Sequence, residues 1–200
     1  MSSLTVKNLS CQRGYNQLFK NLSFQVNSGD ILRITGTNGS GKTSLLKILA
    51  GLSTQESGDV HLDNIGVRSQ AYQKQIFYLG HLGALSAELS SIENLEFLTQ
   101  LHGNVNQQQL FQALEKVGLK GYEEEVCAKL SAGQKRRVIL AGLTLSKASI
   151  WLLDEPFTAL DPHGVKIVED CIQQHCQQGG ICLFTTHQDS ALENQKVLAL

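Results

Sequence analysis

Residues Gly36-Thr37-Asn38-Gly39-Ser40-Gly41-Lys42-Thr43 spell G-x-x-x-x-G-K-[ST], the pattern that most narrows what this 200-residue chain can fold into. Such a loop works between a buried strand and a helix. Its backbone N–H groups wrap phosphate oxygens, and the helix N-terminus adds unpaired donors and a positive dipole end. Both flanks comply: Ile31-Leu32-Arg33-Ile34-Thr35 reads as a short buried strand, and Ser44 to Ala50 reads as the helix that leaves the loop. Glycines let the backbone curl close to an anion with no Cβ in the way. In that frame Lys42 reaches the β- and γ-phosphates and Thr43 offers its hydroxyl to Mg²⁺, so the implied ligand is ATP or GTP. A merely flexible glycine turn would leave Lys42 and both flanks unexplained.

A hydrophobic fraction of 42% over 200 residues suits one folded domain spanning 1–200. The net charge of −1 gives no electrostatic footprint for nucleic acid. The one basic cluster, Lys135-Arg136-Arg137, reads as a solvated helix face. Met1-Ser2-Ser3-Leu4-Thr5 lacks the charged and apolar regions of a signal peptide, and no apolar run approaches the roughly 18 residues that cross a bilayer. The chain by itself is expected to be soluble and cytosolic. Its cysteines, Cys11, Cys127, Cys171, Cys176 and Cys182, are odd in number and scattered, as in a reducing compartment. Cys171, His175 and Cys176 match neither C-x-x-C-H nor C-x-x-C, and the two cysteines read as core positions of a helix.

Short apolar runs at Leu4 to Val6, Leu22 to Val26, Ile31 to Thr35 and Val60 to Leu62 predict strands, with Ser57-Gly58-Asp59 turning the chain into the last of these. Ile76 to Leu79 predicts another strand. From Ser90 the period becomes helical. Ser90 and Glu93 fit a capping box, Ile92, Leu95, Phe97 and Leu98 supply an apolar face, and Gly103 ends the segment. A second helix is expected from Gln107 to Val117, with Leu110, Phe111, Leu114 and Val117 on one side. Strand and helix then alternate through Ile150 to Leu153, about His163 to Gln178, and Ile181 to Thr185, which favours a parallel sheet with crossover helices.

Ile150-Trp151-Leu152-Leu153-Asp154-Glu155 ends a buried strand in two carboxylates, at the sheet edge where open α/β folds bind ligands. Asp154 would hold Mg²⁺ through water. Glu155 would face the γ-phosphate and orient or deprotonate the attacking water. An acidic pair before Pro156 would equally suit a helix N-terminus. Leu130-Ser131-Ala132-Gly133-Gln134 is more selective, and with Asp154-Glu155, Ala159-Leu160-Asp161 and His187 it resembles the motif series of ATP-binding cassette (ABC) ATPases across nearly the whole chain.

The resemblance implies a P-loop NTPase of α/β class with a parallel core sheet, an N-terminal antiparallel β subdomain and a helical signature subdomain at about 82–146. It implies a head-to-tail homodimer in which Ser131, Gly133 and Gln134 bind in trans the ATP held by the partner's phosphate loop, with Asp161 at the dimer seam. It also implies that His187 contacts the γ-phosphate and steadies Glu155. Two positions depart from the family pattern: Gly80-His81-Leu82-Gly83 stands where the family usually places a Gln, and Tyr15, the candidate aromatic for adenine, is displaced by about two residues.

Leu130 to Val138, Asp154 to Asp161, Thr185-Thr186-His187-Gln188 and Tyr78-Leu79-Gly80-His81 resemble more narrowly the ABC ATPases of the cytochrome c maturation system. That likeness implies ATP and Mg²⁺ as cofactors, integral membrane partners of the CcmB and CcmC kind, and a peripheral position on the cytoplasmic face of the inner membrane. Haem would be handled by the partners rather than bound here. The other readings are the ATPase of a small lipid or drug exporter, or a soluble ABC ATPase, which would need a coiled-coil insert or a second cassette. A switch-type GTPase would need Asn-Lys-x-Asp, which the chain lacks.

Overall fold

Alternating apolar residues at the N-terminus build a long antiparallel hairpin: β1 (Ser3–Arg13) pairs with β2 (Asn16–Asn27), and Leu4, Val6, Leu9 and Val26 point into the core. The computed structural model describes residues 2–80, 85–100, 105–187 and 190–200. Two compact units divide them: Met1–Tyr78 with Ala148–Pro156 and Ile172–Leu200, and Leu79–Lys147 with Phe157–Cys171.

The first unit carries two sheets. One is antiparallel, in the order β2-β1-β4-β5, with β4 at Ser57–Leu62 and β5 at Ile65–Gly66. The other runs β6-β7-β8-β3-β9, and β3 (Ile31–Thr35), β7 (Ile150–Asp154), β8 (Ile181–Thr185) and β9 (Lys196–Ala199) are joined in parallel. The strand β6 is Ile76–Leu79. Every residue of β7 and β8 is buried, which explains why they read as unbroken apolar runs rather than alternating ones. Helix α1 (Lys42–Leu49) packs Leu45, Leu46 and Leu49 into the same core as Ile34, Leu152 and Leu183.

Among the differences from the sequence expectation in this unit, two have a plain physical reason. Ser57-Gly58-Asp59 is the start of β4 rather than a turn. Gly58 has φ +90° and its missing Cβ would overlap the backbone of Asn8 and Leu9, so glycine here serves the register shift between Lys7 and Ser10. Strand β9 had no predicted counterpart: it is an edge strand with three of its four residues exposed, and so lacks a buried-strand pattern.

The second unit is helical: α3 (Ser91–Thr99), α4 (Gln107–Lys116), α5 (Ala132–Leu145) and the first turns of α6 (Pro162–Gln177). The remaining short helix, α2 (Gln70–Gln73), belongs to the first unit. Capping boxes open α3 (Ser90 with Glu93), α4 (Asn106 with Gln109) and α5 (Ser131 with Gln134). The expected apolar faces need correction at two rings. Phe97 is 64% exposed and Phe111 is half exposed, while the inward face of α3 includes Asn94, whose amide donates to the carbonyls of Ser86, Leu89 and Ser90. Gly103 lies outside the described residues.

The basic cluster is also corrected. Arg136 is buried and donates to the Gly80 carbonyl at 3.4 Å, and Arg137 donates to the Val117 carbonyl at 3.2 Å and to Asp161 at 2.6 Å. Fixed carbonyls and a carboxylate hold these guanidiniums, Arg136 buried and Arg137 half-buried against the exposed Asp161, so neither is a freely solvated charge. Among the described residues no helix is long and apolar enough to cross a membrane, and all five cysteines are free thiols.

Candidate functional site

Strand β3 ends at Thr35 and the chain passes through residues 36–41 into α1, the order that the sequence predicted. Gly41 immediately precedes α1 with φ +103°, and a Cβ there would sit 3.0 Å from Leu18 and 3.1 Å from the Phe19 ring. The loop is thereby seated against the start of β2 at a helix N-terminus, whose unpaired donors and positive dipole end suit an anion. Lys42 is only 8% exposed, and its ammonium donates to the carbonyls of Gly36 (2.8 Å) and Thr37 (3.0 Å). Those two bonds hold the charge over the loop and leave a third N–H for a ligand. The Ser40 hydroxyl is buried in the loop without a hydrogen-bond partner. An orphaned donor beside a caged cation is what an oxyanion of phosphate would satisfy.

The acidic end of β7 is tied to this loop by a chain of hydrogen bonds. Thr43 Oγ1 donates to Asp154 Oδ2 at 2.8 Å, Thr185 Oγ1 donates to Asp154 Oδ1 at 2.8 Å, and the backbone N–H of Glu155 donates to Thr185 Oγ1 at 2.9 Å. Asp154 and Thr185 are buried completely or nearly so. The hydroxyl and carboxylate at the Thr43 end are hard oxygen donors, the set that Mg²⁺ favours, so the residues present fit that ion. The phenol of Tyr78 is buried nearby, and desolvation together with the Asp154 charge pushes it up to about 12, keeping it neutral.

Glu155 has φ +51°, a conformation that costs a non-glycine residue on the order of 1–3 kcal/mol. The bond from its N–H to Thr185 pins it there. The chain then turns, with Ala159 also at positive φ, and α6 begins only at Pro162. The acids therefore do not stand at a helix N-terminus. The Glu155 side chain is 14% exposed, and its Oε1 lies 3.5 Å from Nε2 of the more open His187. At that separation the pair is adjacent rather than locked, and it becomes an ion pair only when the imidazole is protonated.

In the helical unit Ser131 stands just before α5. Its hydroxyl accepts from the Gln134 N–H at 3.2 Å, and the Gln134 side-chain oxygen accepts from the Ser131 N–H at 2.9 Å. The Gln134 amide is thus engaged in the cap, while Ser131 and Ala132 are exposed and Gly133 is half-buried. Asp161, one residue before α6, accepts from the Gly164 N–H at 2.9 Å and from Arg137 at 2.6 Å, and both bonds hold its carboxyl below the usual range. Tyr15 occupies the turn between β1 and β2 with its side chain fully exposed. His81 lies outside the described residues.

Sequence reasoning missed Thr185, Tyr78 and Arg137 as members of these arrangements. Thr185 entered as the end of a predicted strand and as a neighbour of His187, with no role in the site. Its position at the end of a buried strand, where a hydroxyl must find partners, was the available signal.

Residues 19–158 match the family profile described as ABC transporter. The cytochrome c biogenesis ATP-binding export protein CcmA of Pasteurella multocida is 49% identical over 189 residues, covering 93% of this chain and 89% of that protein. The protein of the same name from Vibrio cholerae is 45% identical over 197 residues, 97% of this chain and 95% of that one. Among solved structures, the ATP-binding subunit of an ABC transporter superposes with a TM-score of 0.83 at 25% identity, over 92% of this chain and 79% of that one. A dimeric ATP-binding cassette in a post-hydrolysis state, bound to ADP and Pi, shares the fold with a TM-score of 0.86 at 22% identity, over 98% and 94% of the two chains.

Proposed function

Because the chain belongs to the ABC transporter family, we propose that it is the ATP-hydrolysing subunit of a membrane export complex that serves haem handling in c-type cytochrome biogenesis. The observation that carries the hydrolytic part is the hydrogen-bond chain from Thr43 through Asp154 and Thr185 to the Glu155 N–H, which links the phosphate loop to the acid that would act on water. The biological part rests on relatives named for cytochrome c biogenesis at 49% and 45% identity over nearly their whole length.

The loop N–H groups of residues 36–43, the Ser40 hydroxyl and Lys42 hold the phosphates of ATP. Thr43 and Asp154 would hold Mg²⁺, which would supply positive charge to offset the charge that develops on the phosphate oxygens. Glu155 orients the attacking water and takes its proton. His187 contacts the γ-phosphate and steadies the Glu155 carboxylate. Ser131 and Gly133, with Gln134 shaping the turn, meet the ATP of a second copy across a head-to-tail homodimer, and Asp161 lies at its seam. The two compact units are parts of one ABC ATPase domain.

The subunit is peripheral, on the cytoplasmic face of the inner membrane, and docks on integral subunits of the CcmB and CcmC kind. Haem is handled by those partners. Whether each ATP cycle moves haem itself or releases a haem-loaded chaperone is a choice between two uses of one engine. A chromosomal deletion tests the assignment: haem-stained c-type cytochromes should vanish, and return with the wild-type chain but not with Glu155→Gln. Normal c-type cytochromes in the deletion strain would reject the biological role and leave the ATPase reading standing.

A further inference from the structure

Strand β6 is the neighbour of β7, and the N–H of Ile150 donates to the Gln75 carbonyl at 2.9 Å, joining the two strands where both begin. Tyr78 is the third residue of β6 and Asp154 the fifth of β7. The step between those levels is about 7 Å at strand spacing, a reach that a tyrosine side chain spans. Both residues look to the same side of the sheet: Tyr78 packs on the cluster that holds Leu45, Leu46 and Leu152, and Asp154 accepts from Thr43 at the head of α1. The Tyr78 hydroxyl is buried there with no hydrogen-bond partner. Burial first, and the Asp154 charge after it, push the phenol up to about 12, so at neutral pH it keeps its hydrogen and adds no second negative charge beside Asp154. A buried hydroxyl without a partner is costly, and a phenylalanine would fill the same space without that cost. The partner it suits is one that arrives with the ligand.

We infer that Tyr78 is a positioning residue for magnesium, its hydroxyl accepting a hydrogen bond from a water of the ion's shell while Asp154 accepts from the same water. The inference rests on the ATP and magnesium reading above and adds to it a residue outside the phosphate loop and the acidic strand end. Magnesium gives up its water reluctantly, so a protein holds it partly through those waters, and each water has two hydrogens to place. Asp154, already fixed by the bonds from Thr43 and Thr185, takes one of them. The neutral phenol takes the other without competing for the ion. Its burial keeps bulk water from doing the same work.

The test compares, by calorimetry on the intact chain, ADP with magnesium present and ADP with magnesium removed by EDTA, while chemical denaturation follows the ligand-free chain. Tyr78→Phe should weaken ADP on the order of fivefold when magnesium is present, the scale of one net hydrogen bond, and leave ADP in EDTA within about twofold. Without ligand, Tyr78→Phe should be at least as stable as wild type, since it loses an unpaired hydroxyl and keeps the ring. Equal losses with and without magnesium would overturn the inference in favour of a contact to the nucleotide or a disturbed loop. Undiminished affinity in both conditions would overturn it outright. A ligand-free chain weakened by the substitution would show that the hydroxyl has a partner inside the protein, and would overturn it as well. Wild-type protein that binds ADP alike with and without magnesium would defeat the magnesium reading beneath it, and wild-type protein that binds no ADP would defeat the nucleotide reading, outcomes distinct from the others.

Discussion

The phosphate-loop unit and the helical unit keep their chemistry in opposite states. In the first, the polar groups other than the Ser40 and Tyr78 hydroxyls are largely buried and already bonded to one another: Lys42 to its loop carbonyls, Asp154 to two threonines, and the Glu155 N–H to one of them. In the second, the arginines are bonded inward while Ser131 and Ala132 stand exposed at the head of α5. A site that must hold charge through a reaction needs its donors fixed in advance. A surface that must meet a ligand held by another molecule needs its donors open. On the proposed reading, one subunit suffices to bind nucleotide, whereas turnover depends on the exposed helix head of a second.

The contrast can be sharpened by substitution. The largest effect is expected at Glu155→Gln, which should lower kcat by about 10²–10⁴-fold, the range of a general base, while ATP affinity persists in a binding assay. Steady hydrolysis by that variant would remove Glu155 from its role. Lys42→Ala should come next, with ATP affinity in the isolated subunit falling by at least about tenfold, as for a lost charge-assisted contact; titration at wild-type affinity would contradict it.

Thr185→Val leaves Asp154 Oδ1 and the Glu155 N–H without their shared hydroxyl, so chemical denaturation should show a loss of about 1–3 kcal/mol together with slower turnover. Unchanged stability would mean that the chain of bonds is incidental. The smallest effect is expected at Arg137→Ala, in the other unit. Asp161 has a lowered folded pKa, so its contribution is full above the ordinary aspartate range near pH 4 and is lost as pH falls through that lower value. The stability gap between wild type and Arg137→Ala should therefore be widest at neutral pH and narrow in acid, leaving the part due to the Val117 carbonyl bond. A gap that widens in acid would reverse the assignment.

The first unit was the more legible of the two in the sequence. The strands β3, β6 and β8 start and end where their mainly apolar runs do, because most of their residues are buried and Arg33 in β3 is the one charged position among them. Helix α1 begins two residues before its apolar run, since Lys42 and Thr43 serve the loop and the helix together. The helical unit misled at Phe97, Phe111, Arg136 and Arg137. Periodicity assigns residues to a face by polarity, and here a buried asparagine and two guanidiniums satisfied by carbonyls displaced that rule. Asp154 and Glu155 were legible as a pair, but the threonine joining them comes from a strand 31 residues away, a separation that no local pattern encodes.

The central claim is that two copies clasp ATP between the lysine loop of one and the exposed serine end of the other. Sedimentation of Glu155→Gln with MgATP tests it most directly. The account predicts a shift from monomer to dimer that Ser131→Arg abolishes while nucleotide still binds. A Glu155→Gln protein that stays monomeric when saturated with MgATP, or whose dimer is indifferent to Ser131→Arg, would contradict it.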